Sequence, residues 1–169
     1  LKLRVVAKAS VPVVEALGAQ AVAQPITVVN QNLANGVIDG IITDPSAIRS
    51  FKLHEPANYV TTWFPGSGAA FVLLMNKDVY NGLSDEEKGW VDEAASTELS
   101  LGAGQTYNRV SAGGLKIAKD AGNELIELSD VEKARFQARI DEVMGKIRQQ
   151  KVGDSTVGDM MAKMTGKGS

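Results

Sequence analysis

An arginine stands in an apolar run near the start of the chain: "LKLRVV" places Arg4 between Leu3 and Val5. A guanidinium in such a stretch needs an anion, because an unpaired charge taken out of water is strongly unfavourable. Its planar fork of donors matches a carboxylate through two parallel bonds, a geometry that a lysine ammonium cannot offer. Residue type alone leaves a second reading slightly ahead, in which the arginine reaches water along its stem or pairs with a carboxylate of the protein itself.

The other residues that could do chemistry have simpler readings. In "PGSGAAF" (65–71) a nucleophile elbow would need G-x-S-x-G, but Pro65 and Ala69 occupy the outer positions around Ser67, which therefore reads as a loop residue. No lysine follows these glycines as a phosphate loop requires. "GAGQTY" (102–107) lacks the third glycine of a dinucleotide fingerprint and lies in a helical stretch, where it reads as a kink. Asp39 in "VIDG" could be a general base, although Asp before Gly at a strand end is commonly turn chemistry. His54 lies near the end of a helical segment and suits a C-terminal cap or the surface. Trp63 and Phe64 close a strand beside the glycine-rich loop and read equally as core or as a pocket wall. The chain has one histidine and no cysteine, which excludes disulfides, thiolate chemistry and a multi-His or Cys/His metal site. No catalytic residue, metal or cofactor is therefore expected.

The elements that must position these residues alternate. After the opening strand, "SVPVVEALGAQ" (10–20) predicts a short helix with Ser10 as N-cap, Pro12 in the first turn and Gly18 at the end. "AQAVAQP" is extended, "PITVVNQNLANG" (25–36) helical, "GVIDGIIT" (36–43) an apolar strand, and "DPSAIRSFKLHEP" helical again. Such alternation predicts βαβ units and a parallel sheet. "NYVTTWF" and "AAFVLLMN" read as two extended runs with a hairpin-like crossing through "PGSG". A capping box at Ser84 and Glu87 then opens a long helix with Trp90, Ala94, Thr97 and Leu101 on one face, running to about Lys119. Four glycines inside it, Gly102, Gly104, Gly113 and Gly114, predict a kink at one pair or the other. "NELIEL" returns as a strand, and a second box at Ser129 and Glu132 starts a helix whose stripe is Phe136, Ile140, Val143 and Ile147. The tail "TGKGS" reads as frayed.

Length and composition suit one globular domain: 169 residues, 44% hydrophobic and 22% charged. A net charge of -2 gives no support to nucleic-acid binding, and no apolar run is long enough to span a bilayer. A chain that opens inside a strand, without an initiator Met, reads as the second half of a longer one.

Taken in order, "LKLRV", "VEALGAQAVAQP", "LANGVIDGII", "FKLHEPANYVTTW" and "VLLMNKDVYNGLSDEEKGWVDEAA" resemble the latter half of the solute-binding proteins of tripartite ATP-independent periplasmic (TRAP) transporters, over roughly residues 1–150. Typical members read L-K-x-R at a strand, then E-A-L-G-A, a helix ending in G-x-x-D-G, and later L-S-x-E-(E/D). The resemblance implies an α/β fold, the C-terminal portion of a two-lobed periplasmic binding protein of type II-like build. It implies a receptor that closes on a small organic acid, a dicarboxylate among the candidates, and delivers it to TRAP membrane subunits.

It also reverses the weighting of Arg4, which occupies the place of the family's carboxylate-gripping arginine. The asparagine that often follows V-D-G by three residues is Thr43 here, a shorter hydroxyl. The aromatic or small residue after the proline becomes Ile26, and the Glu and Tyr beyond it become Val28 and Asn30. These departures imply a bulkier or more apolar acid. Trp63, where the chain re-crosses toward the first lobe, is implied as a pocket wall. The expected division is a second-lobe core over 1–65, crossing strands and the long helix over 66–120, and a returning strand with C-terminal helices over 121–169. An isolated chain of this kind should expose an apolar face, with Val72, Leu74 and Trp90 as candidates, and self-associate. The competing readings are a small α/β hydrolase-like enzyme using Asp39 or Ser67, and a sensory ligand-binding domain.

Overall fold

The computed structural model describes residues 1–64 and 71–166. Ser67 with its "PGSG" loop and the last three residues of the tail lie outside the described residues.

The front of the chain builds a parallel three-stranded sheet. Strand β1 (Lys2–Val5) lies between β2 (Gln20–Ala23) and β3 (Gly40–Ile41), with Arg4 opposite Val22 on one side and Ile41 on the other. The connections are helix α1 (Val11–Ala16) and a 3-10 turn (Ile26–Val28) leading into α2 (Val29–Ala34). Both helices stop at a glycine in the left-handed region, Gly18 at φ 81 and Gly36 at φ 69, where a side chain would be strained. Strand β3 is shorter than the eight residues expected. Val37 and Ile38 donate their N–H groups back to the carbonyl of Asn32, so the chain is still closing α2 when the apolar run begins. Pairing with β1 is completed by Asp39 N to Lys2 O and Ile42 N to Arg4 O, both at 2.9 Å.

Helix α3 (Ser46–Ser50) follows and ends in hydrogen-bonded turns. Lys52 sits at φ 51, and Asn30 holds that turn by donating to the carbonyls of Phe51 (3.1 Å) and Lys52 (2.8 Å). The Nδ1 of His54 lies 3.4 Å from the carbonyl of Ile48 inside α3, the place of a capping residue. Val29, Ile38, Ala47 and Leu53 form the buried core of this block, with Val22, Ile26, Leu33, Ile41 and Phe51 packed around it.

Strand β4 (Tyr59–Thr61) does not pair with the run that follows it. Its partner is β5 (Glu124–Ile126), in parallel, while residues 71–76 carry no regular secondary structure. The expected hairpin is corrected accordingly: an apolar run marks burial or extension but cannot name its partner across the chain. Helix α4 (Lys77–Asn81), capped by Asn76, is tied to α5 (Asp85–Ala94) by the hydroxyl of Tyr80 on Asp92 at 2.8 Å. The capping box at Ser84 and Glu87 is complete. At Ser129 only half of the second box forms, because the carboxylate of Glu132 takes the guanidinium of Arg135 at 2.8 Å.

The long helix breaks in a different place from that expected. Helix α5 ends at Ala94 and α6 (Thr97–Asp120) restarts behind Ser96, whose extended backbone and side chain, accepting from Leu99 N, make a fresh N-cap. All four glycines lie inside an unbroken α6. One of them has a packing reason: a Cβ on Gly114 would stand 2.0 Å from the carbonyl oxygen of Pro45, so the helix touches the start of α3 through bare backbone. Gly102, Gly104 and Gly113 have nothing within that range.

Helix α7 (Asp130–Arg148) turns its stripe inward. Ile140 is buried on it and α7 packs against α1, where Val14 is buried. Phe136 meets Phe64 edge to face at 6.1 Å, which assigns Phe64 to the packing. A two-stranded hairpin of β6 (Lys151–Val152) and β7 (Ser155–Thr156) and helix α8 (Val157–Met164), started by a Thr156/Asp159 capping box, complete the described chain.

Candidate functional site

The parallel sheet directs its carboxyl ends toward one groove of about 410 Å³, the place where open α/β sheets bind ligands. Arg4 reaches it from β1, Thr43 and Asp44 from the segment after β3, and Ile26 from the turn that opens α2. Ala47, Ser50 and Phe51 line it from α3 and its end, and Thr106, Tyr107 and Val110 from α6. Phe71 closes one side and leans on Tyr107, with ring centroids 4.9 Å apart and planes tilted by 39°.

Arg4 is the charged residue buried among the described residues, 4% exposed. The β1 ladder fixes its backbone, and its Nε–H donates to the carbonyl of Gln24 at 3.1 Å, which aims the fork. None of the ion pairs among the described residues involves it. Burial pulls its pKa below the usual arginine value through loss of water, although an arginine so shifted remains protonated. The groove thus presents a cation that forms no ion pair among the described residues, at the end of a rigid strand.

Asp44 is engaged through a single oxygen. Its Oδ1 accepts from the backbone N–H of Ser46 at 2.8 Å and from the hydroxyl of Ser111 at 2.8 Å, fastening α3 to α6. Its Oδ2 accepts nothing among the described residues.

Three of the four residues singled out in the sequence, Arg4, Thr43 and Ile26, meet in this groove. Trp63 is half-buried and is not among its lining residues. Val28 is exposed, and Asn30 spends its amide on the α3 turn. Asp39 is exposed, and its Oδ2 accepts from the backbone N–H of Lys2 at 2.6 Å, a contact between the approach to β3 and the start of β1 and not a local turn bond. The aromatic wall and Asp44 were not singled out. One signal was available: Tyr107, Val110, Ser111 and Gly114 recur at i, i+3, i+4, i+7, a single helix face that meets α3 and the groove.

This architecture is that of the periplasmic binding proteins of TRAP transporters, an α/β two-lobed fold. Residues 1–151 match the family described as bacterial extracellular solute-binding protein, family 7, and the chain belongs to it. The C4-dicarboxylate-binding periplasmic protein DctP of Rhodobacter capsulatus is 27% identical over 150 residues, covering 87% of this chain and 44% of that protein. A marine metagenome TRAP solute-binding protein specific for aromatic acid ligands, solved with metahydroxyphenylacetate, is 33% identical, with a TM-score of 0.78 over 86% of this chain and 47% of that one. A TRAP solute-binding protein of Rhodoferax ferrireducens, solved with copurified benzoate, is 25% identical, with a TM-score of 0.77 and the same coverage. The chain thus spans under half the length of these relatives.

Proposed function

We propose that the protein captures a small organic acid in the periplasm and presents it to the membrane subunits of a TRAP transporter, with Arg4 as the residue that grips the carboxylate. The observation that carries this reading is the buried guanidinium at the groove, tied only through Nε to Gln24 among the described residues. A binding anion supplies the counter-charge and accepts the remaining donors in a bidentate pair. Thr43 adds a hydroxyl beside the carboxylate, and Ile26 an apolar wall. The family's membership of solute-binding proteins supports capture without chemistry, so the protein is read as a receptor and not as an enzyme. The sheet and α1–α3 (1–65) would form one lobe, residues 66–120 the crossing, and 121–169 the returning part. The relatives' remaining length leaves room for a facing lobe that closes over the groove.

The test is a calorimetric titration of the natural polypeptide carrying this sequence with a panel of organic acids. Arg4→Lys should weaken the tightest binder by about 1.5–3 kcal/mol, the scale of a charged hydrogen bond whose fork geometry is lost. Unchanged affinity would remove Arg4 from the site.

A further inference from the structure

We infer that Gln24 and Asn32 are positioning residues for the anion site: together they hold the carbonyl that aims Arg4, so that a carboxylate is gripped by the two terminal nitrogens of the guanidinium. This rests on carboxylate capture at Arg4 and adds what keeps that side chain ready for it.

The carbonyl of Gln24 accepts from the Nε–H of Arg4 at 3.1 Å. A guanidinium has five N–H donors, one on Nε and four on Nη1 and Nη2. Committing Nε to the protein blocks the side-on approach of an anion and leaves the end-on pair, a parallel fork that fits a carboxylate. The direction of the fork is then set by the place of one backbone oxygen. A shift of that oxygen spoils both bonds to the anion at once.

Gln24 stands one residue past the end of β2, where the register with β1 has closed at Val5 and Ala23. Pro25 follows, with no N–H to carry a ladder onward, and it favours an extended backbone at Gln24. A further restraint comes from the side chain, whose Oε1 accepts from Nδ2 of Asn32 at 2.9 Å. Asn32 is itself fixed. It lies in α2, and its carbonyl accepts from Val37 N at 2.9 Å and from Ile38 N at 3.3 Å, with Ile38 buried in the core. The restraint thus runs from the core through α2 to the carbonyl of Gln24, and from there to the guanidinium. Nε2 of Gln24 is buried without a partner among the described residues. An unpaired buried donor is unfavourable, so this amide contributes little to stability and its use is orientation.

The test titrates the natural polypeptide carrying this sequence calorimetrically with benzoate, succinate, pyruvate and glucuronate, and follows the tightest binder. Gln24→Met keeps the length of the side chain but removes both the link and the unpaired donor. It should unfold in denaturant no earlier than wild type, yet bind the acid about tenfold more weakly, the low end for one hydrogen bond to a charged group. Asn32→Leu, which leaves Gln24 in place and frees its amide, should weaken binding by a similar factor. Both effects should vanish where there is no fork to aim. In an Arg4→Lys background either substitution should change affinity by less than about twofold, the range within which uncoupled changes cannot be told from none. General damage to the groove would lower affinity equally in both backgrounds. Wild-type affinity in either variant, an equal loss in the Arg4→Lys background, or a Gln24→Met chain that does not fold overturns the inference and leaves carboxylate capture standing. Unchanged affinity in Arg4→Lys alone, or a wild-type protein that binds none of the acids, overturns both.

Discussion

At the scale of the residue, Arg4 has two possible reasons to be buried, and they make opposite predictions for stability. A structural arginine would be worth its interactions in the unliganded protein. A ligand-binding arginine is carried at a cost, because its desolvation is repaid only when the anion arrives. Among the described residues its sole bond is Nε–H to Gln24 O, and no carboxylate pairs with it. Arg4→Met should therefore leave the unliganded protein as stable as before, or more stable by about 1 kcal/mol, while abolishing acid binding. Denaturant unfolding with and without acid reads both quantities. A loss above about 2 kcal/mol without ligand would make Arg4 a structural residue.

At the scale of the element, α6 is the link between core and groove. It brings Thr106, Tyr107 and Val110 to the site, anchors Asp44 through Ser111, and lies on Pro45 at Gly114. The three contacts occupy successive turns of one face, so the spacing between α3 and α6 sets the width of the groove. Gly114→Ala would drive a methyl group into the carbonyl of Pro45 and should destabilise by about 1–3 kcal/mol, the range for overpacking. It should also weaken acid binding. Gly113→Ala is the matched control: nothing lies within 4 Å, and removing a mid-helix glycine should stabilise by about 0.5–1 kcal/mol. Thermal unfolding of the two variants side by side checks this, and equal midpoints would dismiss the contact.

At the scale of the whole molecule, exposed apolar side chains are concentrated between Phe71 and Val110. Leu73 is 92% exposed, Leu74 83%, Phe71 69% and Trp90 61%, with Val72, Leu99 and Leu101 also open. Large apolar side chains left open to water in such number favour association. The 169-residue chain by itself should therefore associate in a concentration-dependent way, through the 71–76 segment and the exposed faces of α5 and α6. Light scattering over a range of concentrations measures it. A monomer at every concentration, even at high salt, would show that this surface tolerates water. Leu73→Lys together with Leu74→Lys should suppress the association without disturbing the sheet, since 71–76 is unpaired among the described residues.

Much was settled by the sequence alone, where the governing physics is local. The parallel βαβ start follows from alternating apolar periods and from turns ended by Gly18 and Gly36, whose left-handed backbones favour glycine. Ser84 with Glu87 announced the start of α5 three residues apart. The order of short motifs made the family legible and pointed to Arg4, Thr43 and Ile26, which do share a groove. What only the tertiary structure decided is contact between residues far apart in the chain. Composition could not say that β4 pairs with β5 instead of its neighbour, that Gly114 is a crossing point and not a kink, or that Ser96 restarts the helix. Nor could it bring Asp44, Phe71 and Tyr107 around Arg4, because each has an ordinary local role and gains its chemistry only from what packing sets opposite it.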